Sequence, residues 1–385
     1  MIGSRRLACL VSALALGVAA PRLLAQEVKE AAAVAVGQAI VKAFDEEKLE
    51  AADAHFDVDA MLDRTLKGVE ATEAQKLGYR SGVKKSLSLS SLLKQIAQQF
   101  ECFALLRYRA DGGRPRLLFR AHGEGGVNYL ELHVAPAGDS VRVVDLYFYS
   151  NGEAMSETFR RLYINAMAGE PGFVDRLLKK DNEYLRNLPK VKAIAEQVKA
   201  GAFAAALKGI AALPAALQTE KSVLVLRLQA SAQVGAAECT AALADFRKAY
   251  PDDAALDFLS IDALFLNKRF EEVRKAVDSL DKRLGGDPYL EVFRANSYIE
   301  EGKLDLAKAR AEAAVEKDKT LDDPYWIRVN ISLKEKKYDD TAKWLARIEA
   351  DLEQEVDDLT KNEDYAGFVK SPEYAAWMKA REQKK

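Results

Sequence analysis

His122 and His133 come closest to a metal-binding pattern in this chain. They fall on adjacent predicted strands, with Glu124 in the turn between them and Glu131 two positions before His133. Two imidazoles and one carboxylate, brought together, could hold a metal ion. With His55 these are the only histidines, too few and too scattered for a spaced ligand motif. Gly123-Glu124-Gly125-Gly126 is followed by neither lysine nor Ser/Thr, so it reads as a hairpin turn and not a phosphate cradle. No Gly-x-Ser-x-Gly elbow occurs. The carboxylates of 351–358, DLEQEVDD, lack the turn glycine of a calcium loop and read as a solvated helix face. Cys102 and Cys239 fall in different predicted parts and read as small apolar residues more than as a bridge. The expectation is a protein that is not an enzyme, with no catalytic residue, no metal ligand and no cofactor.

The elements that would carry those histidines are strands. Residues 101–109, 115–122, 127–134 and 140–149 are β-rich and separated by Gly-rich turns, the pattern of a four-stranded antiparallel meander. Asn128, Leu130, Leu132 and Val134 alternate with Tyr129, Glu131 and His133, which predicts opposite faces. Helical patterns precede the strands at 28–45, 57–68 and 72–100, the last weakened by Ser86, Ser88, Ser90 and Ser91. Helices followed by strands predict an α+β domain over 28–168, with the helices on one face of the sheet. Gly169-Glu170-Pro171-Gly172 reads as an exposed linker that few contacts cross, leaving two separable halves.

Beyond the linker the chain, 173–361, reads as all helix, with 173–188 a joining helix stopped near Pro189. Phe270, Leu304 and Tyr338 are spaced 34 apart, and so are Val273, Ala307 and Thr341. A fixed period of this length marks an array of helix pairs. Units of roughly 254–287, 288–321 and 322–355 are clearest, with a degenerate one near 220–253 and another suggested by Gly201-Ala202-Phe203. Pro251, Pro288 and Pro324 punctuate the turns. Residues 362–385, with Tyr365, Phe368, Tyr374 and Trp377, read as the cap that a solenoid end requires. The fold class is therefore an α+β domain followed by an all-α helical-repeat solenoid.

In the unit 288–321, Tyr298, Gly302, Lys303-Leu304-Asp305-Leu306-Ala307, Ala311 and Ala314 resemble the tetratricopeptide repeat family. Arg269-Phe270-Glu271-Glu272-Val273 and Lys337-Tyr338-Asp339-Asp340-Thr341 resemble the same second-helix opening. The resemblance implies that the first helix of each pair lines a groove. There Asp262, Asn296 and Asn330 form a polar column, flanked by Phe258, Val292 and Trp326, with Tyr289 one turn before Val292. Amides offer both donor and acceptor, so such a column could hold the backbone of an extended peptide. The competing reading is that these residues cap or bridge neighbouring helices. Val292 and Trp326 stand where peptide-clamp members carry lysine, which argues against capture of a C-terminal carboxylate.

Helices followed by a curved meander resemble the nuclear transport factor-like or cystatin-like cone. Phe56-Asp57-Val58-Asp59-Ala60-Met61, Arg64-Thr65-Leu66 and Ala71-Thr72-Glu73-Ala74-Gln75 resemble periplasmic phospholipid shuttles of the toluene-tolerance type. That resemblance implies an apolar small ligand, such as a lipid, in the cone mouth. Residues 1–25 read as a signal peptide: Arg5 and Arg6, then the apolar run Leu7–Ala20, then Ala25. That run is too short to span a bilayer, and no transmembrane segment is expected after cleavage. Retention of the segment as an anchor is the other reading. Cleavage would leave 54 of the 57 basic residues against 59 acidic ones, which gives no nucleic-acid footprint. The expected function is an exported, periplasmic or extracellular scaffold that binds a protein or peptide through its groove. The alternative is a carrier of an apolar ligand in the cone domain.

Overall fold

A computed structural model describes residues 28–69, 71–123, 126–138, 140–167 and 179–383. The predicted signal segment and the predicted linker lie outside the described residues. The first part holds helices α1 (Glu30–Asp45), α2 (Val58–Leu66), α3 (Glu73–Lys84) and α4 (Leu89–Ala97). A 3-10 helix, Leu49–His55, stands between α1 and α2. The expected single helix over 72–100 is divided. Ser88 caps α4 by accepting from the Ser91 N–H at 3.1 Å, and the Ser91 side chain returns to the Ser88 N–H. Serine hydroxyls compete with helix continuation in this way.

Strands β1 (Cys102–Arg109), β2 (Arg116–Gly123), β3 (Gly126–Ala137), β4 (Ser140–Phe148) and β5 (Glu153–Ala154) form one antiparallel sheet in chain order. The meander thus has a fifth, two-residue strand before α5 (Met155–Met167). One face of the sheet packs on the N-terminal helices through Phe103, Leu117, Phe119, Leu130 and Leu146, against Ile40 and Phe44. Phe103 and Phe119 stack with centroids 4.8 Å apart on this side of the sheet. Gly37 lets α1 approach closely: a Cβ there would meet Leu105 at 2.8 Å.

Helices α6 (Lys179–Lys199), α7 (Phe203–Ala211), α8 (Ala215–Gln218), α9 (Lys221–Val234) and α10 (Ala236–Ala249) begin the second part. Pro189 does not stop α6 but lies inside it. The apolar stripe of Leu185, Val191 and Ile194 is buried on both sides of the proline, and that burial outweighs one lost N–H bond. Three regular pairs follow: α11 (Ala254–Leu266) with α12 (Phe270–Leu284), α13 (Leu290–Glu300) with α14 (Leu304–Lys317), and α15 (Asp323–Glu335) with α16 (Tyr338–Asp351). Phe270, Leu304 and Tyr338 each open a second helix, and Val273, Ala307 and Thr341 are fully buried at the crossings. The period extends to polar contacts. Arg274 binds Glu301 at 2.8 Å, and Lys308 binds Glu335 at 3.0 Å one repeat later. Helices α17 (Ala366–Val369) and α18 (Pro372–Glu382) close the end, burying Tyr365, Phe368 and Trp377.

Candidate partner-binding surface

The second face of the sheet is not solvated. It lies on the first helices of the repeat pairs, with Leu118, Tyr129 and Tyr149 packed among Ala255, Ile261, Leu264 and Phe258. Tyr129 meets Phe258 edge-on at 5.7 Å, and Tyr149 meets it at 6.3 Å. At the centre Arg120, 2 % exposed, forms an ion pair with the buried Asp287 and another with Asp318 at 3.0 Å. Tyr129 donates its hydroxyl to Asp287 at 2.5 Å. Tyr147 donates to Asp253 at 3.1 Å, and Lys221 pairs with the same carboxylate.

A β-bulge completes this contact. The pairing of β1 with β2 slips between Leu105 and Arg107, which turns Arg107 and Arg109 to the array side, opposite Leu118 and Arg116. A bulge re-aims side chains in this way. Arg107 then donates to the carbonyls of Gly285 and Gly286, and Arg109 to that of Arg283. These carbonyls end α12, where acceptors lack intrahelical partners and the dipole favours cations. The two parts of the chain are thus joined by a buried interface, where few contacts were expected to cross.

The histidine pair does not form. His122 lies opposite Val127, and His133 lies opposite Arg116, six pairs further along the same ladder. That offset is roughly 20 Å at strand rise. His122 stacks edge-on against Tyr289 at 5.6 Å, and neither ring nitrogen has a hydrogen-bond partner. Burial, then the neighbouring Arg120 charge, hold its pKa below the ordinary histidine value. His133 is also lowered by burial, against the pull of Asp145 and Glu131. Among the described residues no cluster of three or more His, Cys, Asp or Glu could hold a metal ion. Among the described residues both cysteines are free, Cys239 buried and Cys102 exposed.

The seven expected groove residues divide into three groups. Phe258, Tyr289 and Val292 are taken up by the fold: Phe258 and Tyr289 meet the sheet, and Val292 is 3 % exposed in the repeat core. Trp326 is half-buried against the core that includes the C-terminal cap. Asp262 and Asn330 are exposed and Asn296 half-buried. All three lie on first helices, and no hydrogen bond or ion pair within the described residues engages them. The capping or bridging reading is therefore not what the geometry shows. Arg120, Tyr129, Asp287 and Asp318 escaped the sequence reading, although a strand face carrying Leu118, Tyr129, Tyr147 and Tyr149 was already too apolar for open solvent.

No protein-family model, curated protein or solved structure matches this chain.

Proposed function

We propose that this protein is an exported, non-catalytic scaffold. Its tetratricopeptide-like array binds a protein or peptide segment along the part of the first-helix face that the sheet leaves open. The observation that carries this reading is the column Asp262, Asn296 and Asn330. These residues recur every 34 positions on successive first helices, and among the described residues no hydrogen bond engages their side chains. Unspent amide donors and acceptors at repeat spacing suit the backbone of an extended chain, whose own N–H and C=O groups need partners. The neighbouring sheet supports the same reading, because its aromatic side chains already use the adjoining stretch of that face. Among the described residues no helix is long and apolar enough to cross a membrane. Export rests on the charged and apolar N-terminal segment.

The test is affinity capture from native cells with the wild-type chain and with Asn296→Ala/Asn330→Ala. Circular dichroism serves as the folding control. The double variant should keep its fold and lose the captured partner. Undiminished capture would move the interface off the column.

A further inference from the structure

A cleft of roughly 470 Å³ opens where one end of the sheet meets α9 and α11. Its array wall is Val225, Leu228, Phe258 and Leu266, and its sheet wall includes Phe100, Val127 and Asn128. Leu266 is 56 % exposed, a high value for leucine. Phe258, Asp262 and Leu266 follow one another at four-residue steps, so they share one stripe of α11. Asn128 and Ser150 are already satisfied by each other: the Asn128 amide donates to the Ser150 hydroxyl at 3.1 Å. Gln229 and Gln233, one turn apart on α9, face the cleft, and among the described residues their side-chain amides have no hydrogen-bond partner.

Among the described lining residues Asp262 is the one charged side chain. No lysine or arginine of the described chain pairs with it. Asp262 is exposed, so water reaches its carboxylate while the apolar walls beside it raise its carboxyl above the ordinary aspartate value. An apolar wall next to a lone anion matches a long side chain that carries its charge at the tip, with its methylenes on the wall and its head at the carboxylate.

Resting on the proposed peptide-binding role, we infer that this cleft is a specificity pocket for a lysine or arginine of the bound segment. An apolar residue of the same segment lies against Leu266 and Leu228. The occupant is an extended peptide strand with a basic residue, and Gln229 and Gln233 supply the flanking backbone contacts.

The experiment uses the mature full chain and a positional-scanning library of nonapeptides with both ends blocked, so that selection reads side chains alone. The expected result is enrichment of Lys and Arg at one position. A selected Lys peptide should bind at least tenfold more tightly than its norleucine counterpart. Asp262→Asn should abolish that preference, so that the variant binds the Lys and norleucine peptides alike. Asp305→Asn, at a carboxylate 94 % exposed and paired with Lys308, should leave the preference intact. Peptides that bind without a basic preference, or with one that survives Asp262→Asn, overturn the pocket but not the groove. A loss of preference in Asp305→Asn equal to that in Asp262→Asn assigns it to overall charge and also overturns the pocket. If no peptide in the library binds, both readings fall.

Discussion

Replacing Arg120 with methionine should show how firmly the sheet is held to the repeats. In the wild type Arg120 answers two carboxylates, Asp287 with a fully buried side chain and Asp318 with a side chain 23 % exposed. Removing one partner of a buried pair costs about 3–5 kcal/mol, because a desolvated charge is left behind. Two features place this case near the lower end. Asp287 keeps the Tyr129 hydroxyl at 2.5 Å, and Asp318 keeps the Thr320 hydroxyl at 2.6 Å. The expected loss is therefore about 3 kcal/mol. Arg120→Met/Asp287→Asn removes the stranded charge while leaving an acceptor for Tyr129. It should recover about 1–2 kcal/mol of the loss as coupling. The assay is urea unfolding followed by two signals. Trp326 and Trp344 lie in the array and Trp377 in its cap, so tryptophan fluorescence follows the second part alone. Far-ultraviolet circular dichroism follows the whole chain. The two transitions should coincide in the wild type, as they do for one cooperative unit. A loss below about 1 kcal/mol, with no recovery in the double variant, would refute a buried ion pair at this interface.

The turn before each second helix has a left-handed residue, Lys268, Gly302 and Lys336, at repeat spacing. Lys268→Gly and Lys336→Gly should each stabilise the protein by up to about 1 kcal/mol, and Gly302→Ala should destabilise it by a similar amount, read by thermal unfolding. Ala307→Leu, at a crossing with no exposed surface, should cost about 1–3 kcal/mol; an unchanged melting temperature would remove Ala307 from the crossing. His122 is neutral in the fold with a depressed pKa, near Arg120, Asp287, Asp318 and Asp322. The unfolded chain therefore binds the extra proton first, and His122 contributes stability above the ordinary histidine pKa that is lost as pH falls toward the depressed value. His122→Phe should flatten the fall in unfolding free energy between about pH 7 and pH 5.5, and equal slopes would contradict the assignment. Maleimide should label Cys102 in the native protein and Cys239 only after unfolding.

The repeat register was legible because it depends on local size rules: an apolar or aromatic residue opens the second helix, and a small or β-branched one fits the crossing. The strands were legible from alternation and glycine turns. The left-handed turn was visible only at Gly302, because nothing local marks Lys268 and Lys336 as positive-φ residues. The two-sided burial of the sheet depends on non-local pairs such as Arg120 with Asp287, 167 residues apart. No window of sequence contains both. The histidine pair failed for a related reason, since hairpin register and not strand adjacency decides which residues meet. Of the groove residues, the polar ones stayed open. Of the apolar ones, Phe258 and Tyr289 went to the protein's own sheet, Val292 to the repeat core and Trp326 to the core that includes the cap.

The most direct test of the account is site-specific photocrosslinking in native cells. Benzoylphenylalanine is placed singly at Asn296, at Asn330 and, on the outer side of the second helices, at the exposed Lys343. The account predicts adducts to one common partner from Asn296 and Asn330, with none from Lys343. Adducts from Lys343 alone would contradict it, because the partner would then lie on the opposite side of the repeats from the open column.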